Sequence, residues 1–508
     1  MPIADSALLT DLYQLTMAYG YWRSGRHDQR VAFHLYFRSP PFGSGYTVAC
    51  GIEPAVAYLA GLRFTGEELA YLATLAGADG TPLFADDFLR ALGDLRLTLD
   101  VDAVPEGTVV FPNEPLLRVR GPLLQAQLVE TALLAHVGFQ TLVATKAARV
   151  CLAAGDDEVL EFGLRRAQGP DGGVSASRAA YVGGCSSTSN VLAGMRFGIP
   201  VRGTHAHSWV LVFDDEAAAF AAYADAVPNN VVLLVDTYDT LAGVSRAIEA
   251  GRRLRERGHR LLGVRLDSGD LGYLSVEARR LLDAAGFHDT AVLASNELDE
   301  HVVTSLKQQR AAISIWAVGT RLVTAYDQPA LGAVYKLAAV QEPDGRWTPR
   351  VKVSEQAAKT TIPGLLQVRR YHVPEPTEAS GAFAADMIVD ESHPIADEGG
   401  VTMLDPSDPT RRMTFAAGRG YATLLQPALR DGRRVREPEP LHAARDRARG
   451  ELRGFHAGVK RLVNPHRYPV GIEAGLHARR TELVLAARAA RPADERLPTT
   501  AAGPAAPL

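Results

Sequence analysis

The chain has 508 residues, 47% hydrophobic and 22% charged, which is ample for one large core and a second smaller one and excludes global disorder. Lysine and arginine number 54 against 58 aspartates and glutamates, a formal charge of −4, so no global electrostatic case exists for nucleic acid or an anionic membrane. Three scattered cysteines, Cys50, Cys151 and Cys185, with no CxxC pair, exclude a disulfide framework and fit a reducing cytoplasm. The acidic N-terminal segment lacks a secretory pattern and no run of about eighteen apolar residues occurs, so neither export nor a membrane span is expected.

The string TDLYQLTMAYGYWRSG from Thr10 predicts a helix with Thr10 as N-cap, followed by an alternating strand, VAFHLYFRS, that ends before Pro40. From about Leu95 to Pro122, short strand-like runs are separated by Pro-Glu-Gly, Pro-Asn-Glu-Pro and Gly-Pro, the turn chemistry of a small β-rich domain. Gln125 to Ala154 predicts one long helix leading into the main body. Between Glu158 and Lys336 apolar runs recur, VLEFG, VRGTHA, VVLLVD, LLGVRLD, AVLAS, ISIWAVG and AVYKLAAV, with helical stretches such as Leu241 to Gly258 and Val276 to Ala285 between several of them. Strand, loop and helix in repetition predict parallel β/α units, a period that does not distinguish a closed barrel from an open sheet. QEPDGRWTPRVKVS predicts a hairpin turning at Asp344-Gly345, and strand-and-loop sequence then returns toward the β-rich domain up to about Leu441. The domain reading is therefore 1–140 for the N-terminal helix and first β-rich part, 141–340 for an α/β barrel, 341–441 for the return to the β-rich domain, 442–489 for a C-terminal helical region and 490–508 for a disordered tail.

In parallel β/α barrels the chemistry gathers on loops after the strands, which is where Arg165, His207, Asp236, Asp267, Asn296 and Gly319 fall. The imidazole of His207 can act as a base or take and release a phosphoryl group near neutral pH, although a lone histidine is more often structural. Asp236 in VDTYDT could orient His207 as a triad aspartate does, or form a salt bridge elsewhere. No Walker A loop is present. AVGTRL instead offers Gly319 and Thr320, whose N–H groups can face an anion, with a plain β-to-α turn as the competing reading. Asp267, Ser268, Gly269 and Asp270 suit ribose hydroxyls or a magnesium-bound diphosphate, and equally a helix N-cap. EFGLRRAQGPDGG places Phe162 and then Arg165 and Arg166 after a strand, an aromatic face beside an arginine fork fit for a flat anionic ring.

Five strings in order, TDLYQLTMA at Thr10, EFGLRRAQGPDGG at Glu161, GTHAHSW at Gly203, VRLDSGDL at Val264 and AVGT at Ala317, resemble the nicotinate phosphoribosyltransferases over the chain up to about Thr361. The resemblance implies an α/β fold of the type II phosphoribosyltransferase kind. That is an irregular α/β barrel with a second β-rich domain built from N-terminal and later segments, in a homodimer with active sites at the interface. It implies a cytoplasmic, ligase-class enzyme of NAD salvage that joins nicotinate to 5-phosphoribosyl 1-diphosphate. The products would be nicotinate mononucleotide and diphosphate, with ATP as co-substrate and Mg2+ held mainly through substrate phosphates.

Carried over by position, the resemblance makes His207 the histidine phosphorylated from ATP and Tyr13 the residue stacking on the pyridine ring, across the dimer interface. It gives Arg165 and Thr204 to nicotinate, Arg265 and Asp267 to phosphoribosyl diphosphate, and Gly319 and Thr320 to the phosphate end. By analogy with nicotinamide-using relatives, Phe162 is the opposite stacking face, Arg38 and Lys336 contact the diphosphate, and Asp236 supports His207. CSSTSN places Ser189 where those relatives carry an aspartate, which favours a carboxylate substrate over an amide. His205 occupies a position at which the family varies. The competing readings are a barrel glycosidase using Asp267 and Asp270, a noncatalytic pyridine-nucleotide sensor, and a relative using another pyridine base.

Overall fold

Arg30–Tyr36 has the alternation of a half-exposed strand, yet six of its seven residues are buried because both its faces are covered, Val31, Phe33 and Leu35 by the main core and Ala32 and His34 by Leu365 and Leu366. Val334–Gln341 pairs antiparallel on one side of it, with His34 opposite Lys336, and Leu117–Pro122 on the other. The computed structural model describes residues 6–489 except 357–358, 378–380 and 396–398, so the tail expected over 490–508 lies outside the described residues. The sheet has seven antiparallel strands, in the order Trp347–Pro349, Val334–Gln341, Arg30–Tyr36, Leu117–Pro122, Asp100–Ala103, Gln426–Arg430 and Arg433–Arg434. Val334–Gln341, the run AVYKLAAV, therefore belongs to this sheet and not to the parallel body. A strand reached through a tight hairpin pairs antiparallel, and Gly345 at φ 85° makes that hairpin with Trp347–Pro349.

The N-terminal helix is Leu12–Arg23, and its N-cap is Asp11 rather than Thr10. The Asp11 side chain is occupied elsewhere, accepting from Thr131 Oγ1 at 2.9 Å. The single long helix expected from Gln125 is two, Leu123–Leu128 and Glu130–Ala154. Leu366–Thr377, Gly381–Asp390 and Val401–Leu404 build a second, six-stranded sheet, and Val470–Glu473 enters it from the C-terminal region that was expected to be helical. Two helices, Leu441–Gly454 and Ala474–Ala489, flank that strand. His34 stitches the two sheets together, its Nε2 accepting from Leu366 N–H at 3.2 Å.

The third sheet is parallel and holds the site. In chain order its strands are β1 (Glu158–Glu161), β2 (Ser187–Thr188), β3 (Val231–Leu234), β4 (Leu261–Leu266), β5 (Ala291–Ala294) and β6 (Ile315–Val318). They lie side by side as β2, β1, β6, β5, β4, β3, all parallel. The two edges are joined by residues 200–205. Val201 bridges Thr188 in parallel, Thr204 Oγ1 donates to Val232 O at 2.5 Å, and Leu234 N–H donates to His205 Nε2 at 3.1 Å. The ring is thus closed with side chains substituting for one backbone ladder, which is what makes the barrel irregular. Inside it, Leu160, Leu293 and Ala317 pack with Phe162, Val232, Ala291 and Ile315. The barrel is fixed to the N-terminal part where Glu300, fully buried, accepts from Arg149 Nε at 2.7 Å and forms an ion pair with Lys146 at 2.8 Å.

Candidate active site at the barrel mouth

Parallel strands alternate their side chains, so residues just past the strand ends continue the inward-facing rows and meet over the bore. Because Leu293 on β5 pairs with Arg265 on β4, the next inward residue on each, Ser295 and Asp267, are neighbours. Arg265, 8% exposed, donates from Nε to Ser295 Oγ at 2.8 Å and from Nη2 to Asp267 Oδ1 at 2.7 Å. Ser295 Oγ also donates to Asp267 Oδ1. Burial alone would raise the Asp267 pKa, but the Ser295 hydroxyl and the Arg265 guanidinium outweigh it and hold the carboxyl below the usual range. His207 opens the short helix His207–Leu211, its Nε2 3.9 Å from Asp267 Oδ2 and its Nδ1 3.2 Å from Thr237 Oγ1.

Asp236 does not hydrogen-bond His207. Its Oδ2 accepts from Asp267 N–H at 2.8 Å and from Ser268 Oγ at 2.6 Å, so it shapes the loop after β4, while Oδ1 is buried without a hydrogen-bond partner among the described residues. The two carboxylates of LDSGDL separate in role. Asp267 faces the mouth, whereas Asp270 caps Leu271–Ala284 by accepting from Tyr273 N–H at 3.1 Å, which removes the carboxylate pair a glycosidase would need.

After β1 the chain turns sharply at Gly163, where a Cβ would stand 2.3 Å from Val323 Cγ1. This turn puts Phe162 over the bore and sends Arg165 and Arg166 out on the 3-10 turn Leu164–Arg166, exposed and without ion-pair partners among the described residues. Buried Glu161 fixes the turn by accepting from Gly163 N–H, Thr188 Oγ1 and, at 2.7 Å, Ser177 Oγ. Ser189, half-buried, follows β2 at the same end. Gly319 precedes the single turn Thr320–Val323, and Thr320 Oγ1 donates to Glu297 Oε1 at 3.3 Å. A Cβ at Gly319 would meet Phe162 O at 3.4 Å, Phe162 C at 3.8 Å and Gly163 Cα at 3.9 Å, ordinary contacts, so crowding does not dictate the glycine.

Phe162, Arg165, Thr204, His207, Asp236, Arg265, Asp267, Gly319 and Thr320 therefore share one barrel end. Tyr13, Arg38 and Lys336 do not join them through any hydrogen bond or ion pair among the described residues. Tyr13 is half exposed on Leu12–Arg23. Lys336 lies 3.8 Å from Glu130, and Arg38 borders a separate cavity of about 880 Å³. Burial lowers the Lys336 pKa, Glu130 raises it and the nearby cations Lys352 and Arg38 lower it, so these residues form a second, cationic group. Sequence reasoning missed Ser295, Glu161 and Thr237. The inward alternation of AVLAS through Ala291, Leu293 and Ser295 carried the first, while Glu161 and Thr237 had no signal apart from their strand-end positions. Among the described residues no group of three or more His, Cys, Asp or Glu side chains could hold a metal ion, and no helix is long and apolar enough to cross a membrane.

A parallel β/α barrel whose strand ends present a histidine, an arginine-carboxylate pair and glycine turns is a phosphate-handling barrel enzyme. Residues 8–138 match the nicotinate phosphoribosyltransferase N-terminal domain and residues 377–480 its C-terminal domain. Nicotinate phosphoribosyltransferase of Bacillus subtilis (strain 168) is 49% identical over 72% of this chain and 73% of its own length, and that of Homo sapiens is 36% identical over 94% and 96%. The crystal structure of human nicotinic acid phosphoribosyltransferase superposes with a TM-score of 0.79 at 34% identity, covering 94% of this chain and all of that one. A nicotinate-nucleotide pyrophosphorylase from Pyrococcus furiosus, at 22% identity, shares the fold with a TM-score of 0.65 over 88% of this chain and 95% of its own. The chain belongs to the nicotinate phosphoribosyltransferase family.

Proposed function

We propose that this chain joins nicotinate to 5-phosphoribosyl 1-diphosphate to form nicotinate mononucleotide and diphosphate in NAD salvage, with ATP hydrolysis coupled through His207. The observation that carries this reading is the line Ser295, Arg265, Asp267, hydrogen-bonded in series with His207 at its end, 3.9 Å away, on one barrel mouth. In the transfer the C1–O bond breaks as diphosphate leaves with its electron pair, and the pyridine nitrogen forms the new C1–N bond. Asp267 anchors the ribose, Arg265 balances the departing charge, and Phe162 with Arg165 and Thr204 orients the ring. Gly319 and Thr320 offer N–H groups to the phosphate end. Asp236 and Asp267 are hard oxygen donors without a third ligand among the described residues, which suits a magnesium ion that arrives on diphosphate oxygens; when bound it would neutralise developing charge there.

In the tautomer that donates Nδ1–H to Thr237 Oγ1, His207 keeps the lone pair on Nε2, the nitrogen that takes the γ-phosphoryl of ATP and later yields it to water. Phosphohistidine adds charge and acceptor oxygens beside the diphosphate, which is how ATP would bias the site. This is the ligase-class form of the reaction. Tyr13, Arg38 and Lys336 come from a second copy of the chain, a reading supported by their separation from the mouth and by exposed Leu12, Tyr13 and Met17 on the first helix and Val191 and Met195 beside the barrel. The free thiols of Cys50, Cys151 and Cys185 suit the cytoplasm.

The test is diphosphate release by the purified chain with nicotinate and phosphoribosyl diphosphate, with and without ATP, and with nicotinamide as control. Nicotinate-dependent release stimulated by ATP is expected, and its absence overturns the reaction. His207→Ala is expected to lose ATP stimulation and keep slow ATP-independent transfer; full ATP-stimulated turnover in that variant would disprove the phosphohistidine.

A further inference from the structure

We propose that Arg202 recognises the carboxylate of the pyridine substrate from inside the barrel, an inference that rests on the reaction proposed above. The bore is a cavity of about 180 Å³ that begins under Phe162 and Thr204 and runs down to Glu158 at the start of β1. Arg202 lines it. The reason is local alternation. Val201 pairs with Thr188 and turns outward onto the helix Val191–Phe197, its Cγ2 lying 2.3 Å from where a Cβ on Gly194 would stand. Its neighbours of opposite parity, Arg202 and Thr204, then face the bore.

The Arg202 backbone N–H donates to Thr188 O at 3.0 Å, which fixes the main chain. Its guanidinium has no hydrogen-bond or ion-pair partner among the described residues. Glu158 borders the same bore but forms no ion pair with it; that side chain instead accepts from Ser186 Oγ at 3.5 Å. An unpaired arginine on the wall of a ring-sized, largely apolar bore is suited to an anionic substituent on a flat ligand.

Substrate chemistry sets the direction. The ring nitrogen must face the ribose carbon, which the Arg265–Asp267 pair holds at the mouth. The carboxylate, meta to that nitrogen, then points away from the ribose, and for a ring lying on Phe162 the open direction is down the bore. Thr204 has its hydroxyl donated to Val232 O and so offers the ligand only acceptor or apolar contact, which leaves Arg202 as the cation of the bore wall. Arg165, on the turn after β1 and not among the residues lining the bore, then orients the ring from the mouth without binding its carboxylate.

The experiment is steady-state kinetics of Arg202→Gln, Arg202→Lys and Arg165→Gln with nicotinate and with nicotinamide at saturating phosphoribosyl diphosphate and ATP. Loss of a charge-assisted, bidentate contact is expected to raise the nicotinate KM of R202Q about 30-fold or more while kcat stays within about threefold. Nicotinamide turnover is not expected to fall, so the nicotinate preference collapses by a similar factor. R202K keeps the charge without the planar fork and is expected to raise KM about tenfold. Should R202Q melt below the assay temperature, the R202K result decides alone. An unchanged nicotinate KM in R202Q, or in R202K where it stands alone, overturns the proposal, as does a rise confined to R165Q, which would put carboxylate recognition at the mouth. Failure of the wild-type chain to turn nicotinate over would instead overturn the reaction, a distinguishable outcome.

Discussion

Replacing His205 by alanine tests the closure on which the mouth depends. The ring is 7% exposed, accepts from Leu234 N–H at 3.1 Å through Nε2, and has Nδ1 3.3 Å from Ala206 O, so the Nδ1–H tautomer satisfies both nitrogens. It also packs against Tyr223 and Phe220, at centroid distances of 4.9 and 6.0 Å. Alanine leaves a buried N–H without an acceptor and opens a ring-sized space, together about 3–5 kcal/mol of local stability. Thr204 and His207 flank the deleted ring, and a displacement of about 1 Å at a reacting group can cost about 100-fold. H205A is therefore expected to lose about two orders of magnitude in kcat/KM and several degrees in its calorimetric midpoint. H205Q, whose Oε1 can accept the same N–H, is expected to recover most of both.

The pH dependence of His205 has a defined sign. Burial lowers its pKa, the Ala206 carbonyl raises it, and Arg265 and His207 lower it, with a net shift downward from 6.5. A folded pKa below the unfolded one means that the unfolded chain binds the proton first. The contribution is then complete above about pH 6.5 and is lost as pH falls below it. H205Q is expected to show a flatter acid limb than wild type between about pH 6.5 and 5. H205A with wild-type kcat/KM and an unchanged melting midpoint would refute closure through the ring.

Glu161→Gln places an amide N–H2 where three donors converge, so about 2–4 kcal/mol of local organisation is expected to go, with the nicotinate KM rising more than kcat falls; equal losses in both would argue against a positioning role. His34 is fully buried, its pKa lowered to about 3 by burial first and then by Arg118. It should therefore destabilise the fold as pH drops below 6.5, by about 2 kcal/mol at pH 5, and His34→Gln is expected to have a flatter midpoint-versus-pH curve than wild type; parallel curves would refute the assignment. Glu114 lies buried beside Asp386, and burial and that neighbouring carboxylate push its pKa well up even though Arg370 opposes them. A raised carboxyl pKa stabilises below the unfolded value and loses that contribution as pH rises through the folded one. Glu114→Gln is accordingly expected to change the midpoint at pH 6 by the equivalent of under about 1 kcal/mol and to gain on wild type at pH 9, and a large loss at both would show an ionised Glu114.

The local chemistry was legible because it is written in short segments. The apolar runs from VLEFG to ISIWAVG set the parallel strands, Asp344-Gly345 set the hairpin, and GTHAHSW and VRLDSGDL brought His207 and Asp267 to strand ends. Each depends on residues adjacent in the chain and on a period that a strand or turn imposes. Partnership between distant segments was not legible. AVYKLAAV reads like a barrel strand but pairs with Arg30–Tyr36, a choice made by register and hairpin geometry over some 300 residues of separation. Asp236 and Asp270 carry the composition of catalytic carboxylates, yet one holds a loop and the other caps a helix, because hydrogen-bond donors from neighbouring backbone reach them first. Barrel closure was undecidable from period alone, since it rests on two side chains, Thr204 and His205, meeting the backbone of β3. The same closure turns Arg202 into the bore, a direction that follows from pairing with Thr188 and has no trace in the string IPVRGT itself. Residue type and short-range period thus determined which groups are available for chemistry, while long-range pairing determined which of them face one another.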